Sequence, residues 1–561
     1  MNWEALRESL MSNLAMLPGN LSNHLLITVL PLTLAVMISL PLAVLAVRHP
    51  KLRYPALTVV SIIQTIPSLA LLALMVPLLV GLGYLTSRWF GFEVSALGFY
   101  PTVIALTLYG MLPMLRNMVT GILGVDPALT EAGRGAGMTD RQLLWKVELP
   151  LALPVMIAGV RTATVWTVGI ATLATPVGQQ CLGNYIFRGL HTRDWFTVLF
   201  GCVAAAVVAI VLDLLIGALQ KAAEERRRGL GWSAGVTLML IATIGLTGPW
   251  VIDLMRGQQR AVIVGSKTFT EQYILADLIG ELLRDAGISV RERESLGSTV
   301  IFDGLTAGEV DVYIDYTGTI WANHMGREGS APPRRVLDEV KDWLQSEHEV
   351  HTPGTLGFEN AYALAMRREQ AAQLGIETID DLAGHADQLK LGSDYEFLAR
   401  PEWDAVRTAY GLRFGETAEY DSTFMYEAIR NEEVDVISAF TTDGRIKAYD
   451  LVLLDDPKQA IPPYDALLLL SPATSGREDV IEALRPVLDG ITLDMMQRAN
   501  YMVDRDKDSR SVAEAARWLR EQVTGKYQAE KQAATEGDGA DGDAADGDGA
   551  GATAADGGTE R

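Results

Sequence analysis

Residues 24–47, 56–83, 98–115, 150–174, 196–218 and 232–252 form six runs of mostly apolar residues, each close to the ~20 needed to cross the hydrocarbon core of a bilayer. Inside lipid every backbone N–H and C=O must find its partner within the protein, which leaves helices as the reading for these runs. An all-α, six-span membrane domain is therefore expected over 24–252, after an N-terminal segment 1–23. From about residue 258 the chain changes character and becomes rich in Asp, Glu, Lys and Arg. The two halves are built for different solvents.

Short loops rich in Lys and Arg stay on the cytoplasmic side. Arg48, Lys51 and Arg53 follow the first run, Arg134, Arg141 and Lys146 lie between the third and fourth, and Lys221, Arg226, Arg227 and Arg228 lie between the fifth and sixth. All three clusters fall on one face, so the N-terminus is expected outside. The sixth run then carries the soluble half to the extracytoplasmic side. The basic start and apolar centre of that run also fit a signal sequence, but no A-x-A-like site follows it and an uncleaved span is favoured. Pro31, Pro41, Pro67, Pro113, Pro154 and Pro176 lie within or beside the runs; a kink in a packed helix accounts for each one singly, and a bundle bent around a pathway accounts for them together.

The formal net charge of −22 over 561 residues comes mainly from the soluble half and the tail, and reads as solubilising surface rather than a cation-binding face. Nucleic acid is not an expected partner. The only two cysteines, Cys181 and Cys202, lie far from any Cys or His at metal-ligand spacing, so neither a disulfide framework nor a metal site is expected. No cofactor is expected either. The segment 527–561, dominated by Gly, Ala and Asp, has too little apolar surface to fold and reads as a disordered tail. Its Asp-Gly alternation lacks the ordered period of calcium-binding repeats.

Between the third and fourth runs lies TEAGRGAGMTDRQLLWKVELPLALP, Thr130–Pro154, too polar for lipid and longer than a turn needs. Ala132, Gly133 and Gly137 allow another backbone to approach closely, and Leu143, Leu144 and Val147 offer apolar contacts. An amphipathic helix at the interface would explain the apolar residues but not the glycines. The string resembles the coupling loop of permease subunits of ATP-binding-cassette importers, E-A-A, three residues, G, nine residues, I-x-L-P. Here it reads Glu131-Ala132-Gly133, then Gly137, Val147 and Leu149-Pro150, with Gly133 standing for Ala and Val147 for Ile. The resemblance implies that residues 130–150 dock on a cytoplasmic ATPase subunit. The chain itself lacks the G-x-x-x-x-G-K-[ST] phosphate loop, GSKT at Gly265 being the nearest string. It is thus expected to be a transporter subunit and no enzyme, with ATP hydrolysed on a separate chain. Six spans make half of an importer pathway, which implies pairing in the membrane lipid with a second permease copy, as a homodimer, or with a close relative.

After a linker at 253–259, β-branched runs such as AVIVGS and VDVYIDY alternate with helical patterns over 260–526. This predicts an α/β domain with a substantially parallel sheet, long enough for two lobes closing on a small ligand. The strings GSKTFTEQYILADL, DVYIDYTGT, GFENAYALAMR, EFLARPEWD, AFTTDGRI and PPYDA resemble binding proteins for glycine betaine, choline and carnitine. The resemblance implies a two-lobed, periplasmic-binding-protein-like (type II) fold. It also implies an aromatic box of Tyr316, Tyr362, Phe440 and Tyr464 for a quaternary ammonium, and Arg400 for the ligand's carboxylate. Thr317 and Asn360 are expected polar contacts, and Lys267, Thr270 and Gln272 either touch the ligand or shape the first strand-helix turn. A trimethylammonium group has no N–H to donate, so ring faces are what can hold it, while a planar guanidinium suits a carboxylate. Phe440 stands where some of those proteins carry Tyr. The function implied is ATP-driven import of a quaternary-ammonium solute; ergothioneine or another amine as cargo, and a membrane-anchored solute sensor, are the alternatives.

Overall fold

The computed structural model describes every residue except 1–2, 91–96, 256–260, 328–330, 506–507 and 543–561. Among the described residues, ten α-helices make up the membrane half: α1 (Trp3–Arg48), α2 (Pro50–Thr65), α3 (Ser68–Phe90), α4 (Phe99–Leu123), α5 (Pro127–Gly135), α6 (Asp140–Leu143), α7 (Leu149–Ala171), α8 (Gly183–His191), α9 (Trp195–Glu225) and α10 (Arg228–Met255). Among the described residues five helical stretches are long and apolar enough to cross a membrane, and six if the α2–α3 pair is one span.

Two elements differ from the sequence expectation. Residues 3–23 are continuous with the first span: α1 is one helix of 46 residues, about 69 Å at 1.5 Å per residue, more than twice the hydrocarbon thickness. Its projecting end is tied to the start of α9, where the Asn13 amide donates to Thr197 Oγ1 at 2.9 Å, and to α8, whose Tyr185 hydroxyl donates to the Asn13 carbonyl at 2.9 Å. The second expected span, 56–83, is broken by 98° between α2 and α3. Pro67 explains it: the proline ring disfavours helical backbone in the residue before it, and Ile66 is extended at φ −70°, ψ 129°. The Tyr109 hydroxyl of α4 donates to the Ile66 carbonyl that the break leaves open.

The largely buried helix α4 packs between α1 and α7 at the centre of the bundle. At the bundle end where α7 begins, Arg48 pairs with the buried Glu148 at 2.7 Å, tying the first basic cluster to the loop before α7. The soluble half packs against the other end, where residues 172–194 follow α7.

Among its described residues that half contains two five-stranded sheets. The first lobe has β1 (Val262–Gly265), β2 (Val290–Arg293), β3 (Val312–Tyr316) and β4 (Thr355–Glu359); the second has β5 (Tyr362–Arg367), β6 (Lys390–Asp394), β7 (Glu416–Tyr420), β8 (Val436–Phe440) and β9 (Leu451–Leu453); β10 (Asp465–Leu470) returns to the first. The orders are β2-β1-β3-β10-β4 and β7-β6-β8-β5-β9. Both sheets are mixed rather than substantially parallel. The β1, β2 and β3 strands pair in parallel, as do β6, β7 and β8, whereas β10 and β5 run antiparallel to their neighbours. These antiparallel strands flank the two crossings between lobes; a chain arriving from the other lobe needs no helical crossover. Helix α11 (Thr270–Asp285) buries its apolar face on the first sheet.

The final helix runs Val512–Gly542, past the expected boundary at 526. The stretch AEKQAATE after Gln528 consists mainly of good helix formers, which favours continuing the helix. The rest of the expected tail, 543–561, and most of the expected linker, 253–259, lie outside the described residues.

Candidate functional site

A cavity of about 190 Å³ lies between the lobes, and Tyr316, Tyr362, Arg400, Phe440, Tyr464 and Asn360 all line it. All but Arg400 come from a strand end or a crossing: Tyr316 closes β3, Asn360 and Tyr362 stand where β4 passes to β5, Phe440 closes β8, and Tyr464 precedes β10. Tyr362 and Phe440 are direct partners in the β5–β8 register, with ring centroids 4.9 Å apart. Tyr464 meets Tyr362 edge-on at 6.1 Å. Its ring lies on Gly318, where a Cβ would come within 2.5 Å of the ring, which gives the glycine of DYTGT its role.

The arc of rings is completed by a residue the sequence reading passed over. Phe269 is 6.3 Å from Tyr316 and 6.2 Å from Phe440, nearly parallel to the latter, so the order Tyr316, Phe269, Phe440, Tyr362, Tyr464 is continuous around the cavity. Phe269 lies within GSKTFTEQ, where its polar neighbours Lys267, Thr270 and Gln272 carry the more obvious chemistry.

Those polar neighbours divide by role. Lys267 lines the cavity, its Nζ 2.5 Å from the buried Asp315 and 5.7 Å from the Tyr316 ring centre. Gln272 donates to the Ile314 carbonyl and to the Tyr316 hydroxyl, both at 3.0 Å, and Thr270 donates to Asp504 at 2.7 Å; these two shape the turn. Thr317 is buried away from the cavity, donating to the Pro463 carbonyl and accepting from the Asp465 N–H. It braces Tyr464 rather than facing the cavity.

Glu271, fully inside, organises the floor. It accepts from the Tyr316 hydroxyl at 2.5 Å and from the amides of Asn360 and Asn500 at 3.1 Å each. Burial raises its pKa against the pull of those donors. The Asn360 amide nitrogen is thereby occupied, and its buried Oδ1 is left without a hydrogen bond. Burial also raises the phenols of Tyr316, Tyr362 and Tyr464 well above their usual range, with Glu271 and Glu402 adding to the effect at Tyr316 and Tyr464. The rings are neutral at any physiological pH.

Arg400 sits before the helix Pro401–Tyr410, its Cζ 5.4 Å from the Tyr362 ring centre. Its Nη2 donates to Glu396, and Nη1 is 3.7 Å from Glu402. Nε and Nη1 are buried without a hydrogen bond. A guanidinium with two open donors beside an arc of rings can take a carboxylate on a ligand whose cationic end meets the rings.

One wall comes from the membrane half. His191, ending α8, lines the same cavity, and burial lowers its pKa. The turn that carries it is gripped on both lobes. Arg188 pairs with Glu294 at 2.8 Å and Asp277 at 3.2 Å in the first; Arg193, at φ +56°, bonds to Glu427 and to the Tyr449 hydroxyl in the second. Asp277, Glu292 and Glu294 cluster closely enough to suit a cation, and Arg188 supplies one.

At the opposite end, α5, α6 and one widened turn (Leu144–Glu148) form the loop of Glu131 to Pro150. Glu131 and Ala132 are exposed, Leu149 is half-buried, and Pro150 is exposed at the start of α7. Gly133 is buried instead of offering an outer surface: a Cβ there would lie 2.7 Å from Leu143, so both residues serve packing within the loop. Gly137 has φ +80° with open space around it, a turn requirement.

Residues 260–521 match the family described as the substrate binding domain of an ABC-type glycine betaine transport system, and 35–229 match binding-protein-dependent transport system inner membrane components. The choline transport system permease protein OpuBB of Bacillus subtilis is 39% identical over 35% of this chain and 84% of its own length. The ergothioneine transport permease/ergothioneine binding protein EgtU of Helicobacter pylori is 28% identical over 83% of this chain and 84% of its own. A solved structure of a glycine betaine/carnitine/choline ABC transporter matches at 26% identity over 46% of this chain and 97% of that one, with a TM-score of 0.41. The chain is a permease fused to a substrate-binding domain, and it belongs to the ABC importer family that includes the choline, carnitine and osmoprotectant transport permeases.

Proposed function

We propose that this chain captures a solute bearing a quaternary ammonium and a carboxylate, in the manner of glycine betaine or carnitine, and passes it to its own permease half. The observation that carries this reading is the arc of five rings ending beside the two open donors of Arg400. Tyr316, Tyr362, Phe440 and Tyr464 act as walls of the cage, Arg400 as the carboxylate clamp, and Asn360 Oδ1 as a partner for positive charge. The receptor, 260–526, faces the extracytoplasmic side, the permease occupies 24–252, and a linker at 253–259 joins them. Two copies form the pathway as a homodimer, and a separate ATPase chain docks on 130–150 from the cytoplasm. The basic clusters at one bundle end and the receptor at the other support that orientation.

Ergothioneine, itself a betaine, is the second reading. It is favoured by the relative named for that solute, whose match runs through both halves in the same order. Calorimetric titration of the full chain in nanodiscs with glycine betaine, carnitine, choline and ergothioneine separates the two. Binding of a carboxylated betaine at least tenfold tighter than choline supports the clamp; binding of none of the four refutes the cage.

A further inference from the structure

Arg161 of α7 and Asp213 of α9 form a two-pronged ion pair, Nε to Oδ1 at 2.5 Å and Nη2 to Oδ2 at 2.7 Å. Arg161 stands twelve residues after the start of α7, and Asp213 twelve residues before the end of α9. Measured from the expected span ends at 150 and 218, Arg161 lies eleven residues in and Asp213 five, about 17 and 8 Å at 1.5 Å per residue, so the pair sits inside a hydrocarbon core ~30 Å thick, toward the end that carries the basic loops. Yet the pair is not interior to the chain: the side chains are 43% and 26% exposed. Thr162 beside it is exposed too. The α9 backbone passes close beneath the guanidinium at Gly217, where a Cβ would lie 3.4 Å from Arg161 Cζ.

Charges at this depth are costly against lipid tails and are found facing bundle interiors or water-filled cavities, where they mark solute and ion routes. Pairing lowers that cost without removing it, because the outer edges of both groups still need polar surroundings. The two bonds use Nε and Nη2, leaving Nη1 of Arg161 for another acceptor and the outer lone pairs of Asp213 for a cation. We propose that the Arg161–Asp213 pair faces the aqueous solute path inside the membrane and is a transit station for a zwitterion. The solute's carboxylate meets Arg161 and its cationic end meets Asp213. A single copy has the pair on its outer surface, the face that the path between the two copies of the proposed homodimer would use. The choice of solute class rests on the proposed function; the exposure of the pair to water does not.

The test uses the full chain with its ATPase in vesicles, in a Cys202→Ser background because Cys202 is the exposed cysteine. Thr162→Cys should react with a charged, water-soluble trimethylammonium thiosulfonate at least tenfold faster than Met239→Cys, an exposed position on the apolar α10. Reaction of Thr162→Cys with permeant N-ethylmaleimide alone overturns the proposal, the face then belonging to lipid or to the second copy. In the second arm, Arg161→Gln, Asp213→Asn and the double variant, which retains a hydrogen-bonded neutral pair, should each lower glycine betaine uptake at least tenfold while leaving its binding to the full chain unchanged. Wild-type uptake in all three overturns the station. Failure of the unsubstituted chain to bind any betaine, with the labelling pattern intact, counts against the solute class and leaves the aqueous path standing.

Discussion

Arg188, in the short helix before the fifth span, reaches across to Asp277 of the receptor and closes an ion pair of 3.2 Å in which both side chains are largely buried. Glu294 shares the same guanidinium. Removing one side of a buried pair strands the other, at a cost on the order of 3–5 kcal/mol. Arg188→Ala should therefore undock the receptor without unfolding it, seen as faster hydrogen–deuterium exchange on the outer face of α11 and in α8, with the β-sheet cores unchanged. Equal exchange in variant and parent would mean that the pair does not hold the junction.

At Arg400 the expected loss depends on the ligand. Arg400→Ala removes a charge-assisted contact and should weaken carboxylated betaines by about 2–5 kcal/mol, and choline, which has no carboxylate, hardly at all. Calorimetry with both ligands checks the difference; an unchanged betaine affinity would rule the residue out as the clamp.

Phe269→Ala tests the ring that completes the arc. Loss of one face should cost about 0.5–2 kcal/mol for betaine and choline alike, because both carry the same cationic head. A loss confined to one ligand would place Phe269 outside the cage.

For the loop at 130–150, glycine substitutions report on the loop itself, since Gly133 packs on Leu143 and Gly137 requires its positive φ. The exposed Ala132 is the informative position. Ala132→Trp should abolish ligand-stimulated ATP hydrolysis in reconstituted vesicles while leaving solute affinity as it was; normal stimulation would argue against docking here.

Orientation can be read with single cysteines in the Cys202→Ser background. Ser346 in the receptor and Glu224 at the end of α9 are both exposed, and only the first should react with a membrane-impermeant reagent in spheroplasts. The reverse pattern would invert the topology.

Much of this architecture is legible in the chain because its signals are local. Twenty apolar residues announce a span wherever they occur, and DYTGT or PPYDA announces a strand end with an aromatic. What escaped was decided by distant partners. Phe269 gains its meaning only when β3 and β8 bring Tyr316 and Phe440 alongside, and His191 lies in the other half of the molecule, in a segment with no motif to single it out. Thr317 reads as a site residue beside Tyr316, but its hydroxyl is claimed by a segment 146 residues later. The break at Pro67 was hidden because proline usually bends a membrane helix without breaking it.

That break has a consequence for how the protein is made. An insertion machinery meeting residues 56–83 before anything that follows reads one uninterrupted greasy segment. The group that satisfies the Ile66 carbonyl, the Tyr109 hydroxyl, emerges 43 residues later, so the corner between α2 and α3 can be sealed only after α4 has entered the bilayer. The final shape of an early segment thus depends on a later one, a clasp that chain order delivers last.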